Sequence, residues 1–389
     1  MVLGLAAWSA VCAAVAVRAV WRGGRTLNDH AVAVFVVLCI AVYPLLGALC
    51  PALPATVAYS LSLGPFTLAA LFVALDLRRE PPPWLTALAR ASQPAMAFSL
   101  WTGLLLIVRS PVALLLGDAL WPGAWLALPA ALALWGTAWT WLGRRVRTNR
   151  VELPRGGVRP LRIAHLSDLH ASPLMTGADL LAVVTEVNRL APDLVMITGD
   201  HVMPFSEARH PELLAAIRGI RAPVHTCNGN HDLPIDARLR HEFRAAGATP
   251  LVDGRAVLLV EGWIVEVVGV QFHWREAKRH LLEALGAQKP LPADARILLA
   301  HDPRLWPWLP AGRFDLTLSG HTHGGQVALD MFGLRGSVLR LFGVRDQGRF
   351  DGAQGALWVH RGNWHTGLPP RMGVAPEIVV HELVRRPAG

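Results

Sequence analysis

Residues 161–170 read LRIAHLSDLH, a short apolar run that stops at Ser167, Asp168, Leu169 and His170. The run has the length of a β-strand, and its polar stop sets a carboxylate and an imidazole where the strand ends. The same pattern recurs downstream. Apolar runs at 193–198, 223–227, 296–300 and 315–319 each give way to a polar loop. These loops hold Gly199 and Asp200; Gly229, Asn230, His231 and Asp232; His301, Asp302 and Pro303; and Gly320, His321, Thr322 and His323. Between them, 178–190, 207–220 and 236–246 carry apolar residues at helical spacing, the last with Asp236 placed to cap it. This alternation predicts an α/β fold with partly parallel strands, whose carboxyl-end loops converge on one crevice.

Asp168, His170, Asp200, Asn230, His301, His321 and His323 mix hard oxygen with imidazole nitrogen. That mixture suits Mn, Fe or Zn better than calcium. Seven donors exceed the need of one ion, so two divalent metal ions sharing a carboxylate are expected, with Asp200 as the bridge. Any one of these residues alone has a plainer reading as a turn cap or a hydrogen-bonded core group; the weight lies in five blocks at five strand ends. By the same reasoning Asp302, ahead of Pro303, reads as a cap, and His165, His201, His210, His225, His241, His273 and His280 receive no role.

The order D-x-H, G-D, G-N-H-D, H and G-H-x-H resembles the calcineurin-like metallophosphoesterase superfamily. Gly324, Gly325 and Gln326, with Arg361, Gly362, Pro376, Glu377 and Ile378, resemble its membrane-anchored, YkuE-like branch. The resemblance covers roughly residues 161–383 and implies a central β-sandwich flanked by helices. It further implies that Asp168, His170 and His323 bind one metal, that Asn230, His301 and His321 bind the other, and that Asp200 joins them. His231 would act as general acid beside the leaving group, with Asp232 placed to orient it. The implied reaction is hydrolysis of a phosphodiester or diphosphate by hydroxide generated at the metal pair. Two positions depart from the branch: Met203 replaces a common Asp, and Asn363 and Trp364 replace small residues. Arg361 is open to two readings, a substrate-phosphate contact or a surface salt bridge. The alternative function is a non-catalytic sensor that binds metal or a phosphorylated ligand, and the retained His231 counts against it.

Upstream the composition changes. No Asp, Glu, Lys or Arg occurs in 31–75, 91–108 or 119–143, and 1–17 is a further charge-free run. Residues 1–147 are therefore expected to form about five membrane helices, 148–160 a linker and 161–389 the catalytic domain. Arginines cluster at Arg18, Arg22 and Arg25, at Arg78, Arg79 and Arg90, and at Arg144, Arg145, Arg147 and Arg150. Five spans put all three clusters on one side, which the positive-inside rule makes the cytoplasm. A multi-pass cell-membrane protein with a cytoplasmic catalytic domain is the expectation. These arginines also account for the net charge of +9 without a nucleic-acid partner. A tethered site meets membrane lipids and lipid-linked phosphates at high effective concentration, which favours them as substrates. Cys227 is the only cysteine after Cys50, so the catalytic part holds no internal disulfide.

Overall fold

The computed structural model describes residues 143–172, 174–203, 209–326, 328, 336–364 and 371–387, with helical positions at 84, 87, 127, 128, 130–136 and 138. The runs expected to span a membrane at 1–17, 31–75 and 91–108 lie outside the described residues, as does the greater part of 119–143. Among the described residues no helix is long and apolar enough to cross a membrane. Contacts divide the chain into one unit of residues 1–138 with 368–370 and a second of 139–367 with 371–389.

The second unit holds twelve strands: β1 (Arg145–Leu153), β2 (Leu161–Leu166), β3 (Leu194–Thr198), β4 (Val224–Cys227), β5 (Ala248–Pro250), β6 (Gly254–Val260), β7 (Trp263–Gly269), β8 (Ala295–Leu299), β9 (Leu316–Ser319), β10 (Gly348–Gly352), β11 (Gly355–Val359) and β12 (Glu377–Arg385). They form two six-stranded sheets, β1-β12-β2-β3-β4-β5 and β10-β11-β9-β8-β7-β6. In the first, β2 through β5 are parallel, while β12 runs antiparallel to β2 and parallel to β1. In the second, β11, β9, β8 and β7 are parallel, and β10 and β6 fold back as antiparallel edges.

Period-two alternation explains why the sheets pack. Leu161 and Ile163 of β2 and Val379 and Leu383 of β12 join Val265, Ile297 and Leu318 of the other sheet in one buried apolar cluster. Trp263 is fully buried in it, and its indole N–H donates to the Arg159 carbonyl at 2.9 Å, so its polar atom is not stranded. Among the described residues four α-helices accompany the sheets: α1 (Gly177–Arg189), α2 (His210–Gly219), α3 (Asp236–Ala245) and α4 (Ala277–Gly286). Helix α1 starts where the Thr176 N–H donates to Asp179 at 2.8 Å, and it buries Leu180, Val183, Val184 and Val187 along one stripe beside α2.

The five strands expected from the sequence occur with ends shifted by at most one residue. Two expectations change. Residues 145–153, whose later part reads as linker, form an edge strand in register with β12 over its whole length. Only Asn149, Val151 and Leu153 of that strand turn inward, so its sequence looks polar. Asp236 does not cap α3. It is the first helical residue, and its carboxylate accepts from Asn228 and pairs with Arg240 at 2.9 Å.

Candidate metal centre

Because β2, β3, β4, β8 and β9 end on the same side, their loops meet. The first sheet delivers Asp168 and His170 after β2, Asp200 after β3, and Asn230 and His231 after β4. The second delivers His301 after β8, then His321 and His323 after β9. Two donor groups result, Asp168 with His170, Asp200 and His323, and Asp200 with His301 and His321. Asp200 belongs to both.

The local backbone is unusual. Asp168, His170, Asp200, His321 and His323 all have positive φ, at 54°, 46°, 52°, 73° and 51°. Non-glycine residues rarely stay there unless the surroundings hold them, and such residues cluster at functional sites. Two glycines permit the close approach. A Cβ on Gly229 would collide with the Asp200 carboxylate, and one on Gly320 would collide with Ser167 Oγ and Asp168.

In the first group, His170 Nε2 and His323 Nε2 face each other at 3.1 Å, and Asp168 Oδ1 lies 3.2 Å from His323 Nε2. In the second, His301 Nε2 sits 3.3 Å from Asp200 Oδ2. The second nitrogen of two rings is spent on backbone carbonyls: His301 Nδ1 on Thr198 at 2.6 Å and His323 Nδ1 on Trp364 at 3.1 Å. Such contacts fix the tautomer and leave each Nε2 lone pair directed at the centre.

A metal fits these residues. His301 Nε2 and Asn230 Oδ1 are buried without a hydrogen-bond partner, although buried polar atoms are nearly always satisfied. Charge agrees. Burial alone would raise the Asp168 carboxyl, yet the His323 imidazole overrides it and holds Asp168 well below the usual carboxylate range. Asp200 is likewise held ionised against burial, by His301 and His231. Burial lowers His301, but the Asp200 carboxylate overrides this and pushes it up to about 10, so that without a cation the ring holds a proton on the Nε2 that a metal would take in its place. Burial keeps His170 neutral and lowers His321 to about 4.

Six of the seven expected donors thus meet in these two groups, and Asn230 and His231 follow β4, with Asn230 Oδ1 buried without a partner. His231 donates its backbone N–H to Asp200 Oδ1 at 2.9 Å, and its ring stands edge-on to His170 at 4.9 Å. Asp232 does not orient it. The Asp232 carboxylate instead accepts from His201 Nδ1 at 2.9 Å, from the His201 N–H at 2.9 Å and from the Gly229 N–H at 2.8 Å, bracing the β3 and β4 loops. Asp302 is a cap, accepting from the Arg304 N–H at 2.9 Å. Of the two readings of Arg361, the salt bridge is present but internal: the residue is buried, its Nε lies 3.6 Å from Glu377 Oε2 and its backbone N–H donates to Glu377 Oε1 at 3.1 Å. The sequence gives no signal for Thr198 or the aromatic pair Phe272 and Trp274, and marks Asn363 and Trp364 only as departures from the branch pattern. Phe272 stands 5.5 Å from the His321 ring and Trp274 stands 6.3 Å from it, with Trp274 53 % exposed.

Comparison with known proteins accords with this geometry. A family model described as calcineurin-like phosphoesterase matches residues 161–325. The chain is 30 % identical over 199 residues to phosphodiesterase YaeI of Escherichia coli, covering 48 % of this chain and 68 % of that protein. It is 29 % identical over 249 residues to the uncharacterized metallophosphoesterase YkuE of Bacillus subtilis, covering 61 % and 83 %. A shorter match, 27 % identical over 121 residues, covers 28 % of this chain and 36 % of UDP-2,3-diacylglucosamine pyrophosphatase LpxG of Chlamydia muridarum.

Proposed function

This chain belongs to the calcineurin-like phosphoesterase family, and from that premise we propose that it hydrolyses a phosphodiester or diphosphate at a two-ion centre, with His231 as the general acid. Metal-dependent phosphoester hydrolysis is the family's chemistry, and the chain is a hydrolase of that kind. The carrying observation is the pair of donor groups, buried but for a half-buried His321, that share Asp200.

In this reading Asp168, His170 and His323 would hold one divalent ion and Asn230, His301 and His321 the other, with Asp200 common to both donor groups; Mn, Fe and Zn would all suit the donors. Bound there, two such ions would supply Lewis acidity to the phosphoryl oxygens and a nucleophile from water near neutral pH. The protein supplies the placement. Backbone carbonyls of Thr198 and Trp364 hold His301 and His323 in one tautomer, and the strained turns aim Asp168, His170 and Asp200 inward. His231 keeps its ring at the mouth, with Nε2 3.9 Å from Asp200 Oδ2 and the side chain 11 % exposed. From there it protonates the departing oxygen.

The substrate class we favour is an amphiphilic or lipid-linked phosphate. Trp274 and Phe272 give the His321 side of the centre an apolar wall, and LpxG, by its name, acts on a diacylated sugar nucleotide. We further place the chain in the cell membrane with the catalytic unit in the cytoplasm, on the strength of the charge-free runs and the three arginine clusters.

The test of the general acid is leaving-group dependence. In His231→Ala, hydrolysis of an alkyl phosphodiester should fall about 10²–10⁴-fold while an activated aryl phosphodiester loses far less, since a good leaving group needs little protonation. Equal slowing of both substrates would remove His231 from that role.

A further inference from the structure

Residues 360–364 and 371–376, between β11 and β12, brace the loops of the centre. The Asn363 N–H donates to the Ser167 carbonyl at 2.9 Å and Asn363 Oδ1 accepts the Ser167 N–H at 3.0 Å, so the residue ahead of Asp168 is gripped from both sides. Asn363 Nδ2 then donates to the Glu377 carbonyl at 2.7 Å, tying the grip to β12. The His360 N–H donates to the Ser319 carbonyl at 2.8 Å, at the end of β9.

Arg371 lies in this segment and is fully buried. Burying a guanidinium is costly unless its donors are used. Its Nη1 donates to the Arg361 carbonyl at 2.5 Å, and its Nη2 donates to the Trp364 carbonyl and comes within 3.2 Å of His323 Nδ1. The Trp364 carbonyl is the same atom that faces His323 Nδ1 at 3.1 Å. A carbonyl only accepts, so with Nη2 and Nδ1 both turned to the Trp364 carbonyl the proton at that contact sits on Nδ1; the 3.2 Å between Nη2 and Nδ1 is then an approach of two donors to one acceptor, not a hydrogen bond, and Nε2 turns its lone pair toward Asp168 and His170. An Arg fork spanning two carbonyls is a rigid device, which a lysine ammonium does not reproduce.

We propose that Arg371 is a positioning residue of the metal centre: it holds the Trp364 carbonyl against His323 Nδ1 and so fixes the ring in the one tautomer and orientation that can bind a cation. The inference rests on the reading of His323 as a metal donor. It predicts an effect on one ion of the pair, because His301 takes its own orientation from Thr198.

The experiment uses the full chain in detergent, stripped by chelation and titrated with Mn, counting ions and their affinities beside the melting temperature of the metal-free protein. Arg371→Met should weaken one ion by about 10–100-fold, the usual range for a lost outer-shell partner, and leave the second unchanged. Arg371→Lys should fall between it and the wild type. His323→Ala serves as the reference and should lose the same ion. Wild-type affinity for both ions in Arg371→Met overturns the inference. So does an equal weakening of both ions together with a lower metal-free melting temperature, since that describes a merely structural arginine. If Arg371→Met is not recovered folded, Arg371→Lys decides: one weakened ion supports the inference and two unchanged ions overturn it. Two ions retained in His323→Ala would instead defeat the underlying assignment of His323.

Discussion

The two sheets bring unlike halves to the centre. The loops after β2, β3 and β4 carry both carboxylates, Asp168 and Asp200, with the Asn230 amide. The loops after β8 and β9 carry His301, His321 and His323 and turn no carboxylate inward, because Asp302 is spent on Arg304. The negative charge therefore lies on one sheet and the closing imidazoles come from the other. Cross-sheet approaches such as 2.6 Å between His301 and the Thr198 carbonyl, 3.1 Å between His170 and His323 and 3.2 Å between Asp168 and His323 exist only while the apolar cluster keeps the sheets in place. Packing far from the chemistry is part of the chemistry.

Removing charge from the first sheet should do most damage. Asp168→Asn, which keeps the shape and deletes the charge, should lower kcat/KM for a phosphodiester by about a thousandfold or more, whereas His321→Ala on the second sheet should cost about ten- to a hundredfold. Steady-state kinetics at saturating Mn measures both, and equal losses would erase the distinction between the halves.

Next comes the packing that joins them. Trp263→Ala should destabilise the metal-free protein by about 3–5 kcal/mol in urea unfolding, the usual cost of emptying a core aromatic site. Leu259→Ala, at a position 78 % exposed on β6, should stay within about 0.5 kcal/mol.

An effect confined to acid concerns polar residues buried on the first sheet. His381 bonds Asn149 at 2.9 Å and approaches His165 at 3.4 Å, and His165 bonds Thr198 Oγ1 at 2.8 Å. Burial, with help from nearby His360 and Arg349, lowers His381 from its ordinary 6.5 to about 3. Above pH 6.5 both folded and unfolded chains hold this ring neutral. Between 6.5 and about 3 only the unfolded chain takes up the proton, so stability falls with falling pH by about 1.4 kcal/mol per pH unit. His381→Gln should flatten the acid limb by one proton in urea unfolding between those values, and an unchanged slope would mean that the ring is already charged in the fold.

Much of this was legible in the chain because the strands announce themselves. In Leu161–Leu166 and Leu194–Thr198 a buried apolar run stops at a polar loop, and that stop is both the strand end and the site. What stayed illegible is what arrives from far along the sequence. Trp364 and Arg371 reach His323 across 41 and 48 residues, and no local pattern encodes either contact. Asp232 misleads for the opposite reason: it neighbours His231 in sequence, yet its side chain serves His201, 31 residues away. Strand β1 hides because six of its nine residues face outward or only half inward. The left-handed turns at Asp168, His170 and Asp200 are invisible too, since these residue types carry no mark of the strain that their neighbours impose.

The most direct test of a centre shared by two sheets is to count its metal. After chelation and dialysis of the full chain against Mn, elemental analysis should find about two ions per chain, and Asp200→Asn should lose the pair together with phosphodiester turnover. A single ion per chain, or an Asp200→Asn variant that keeps two ions and full turnover, would contradict it.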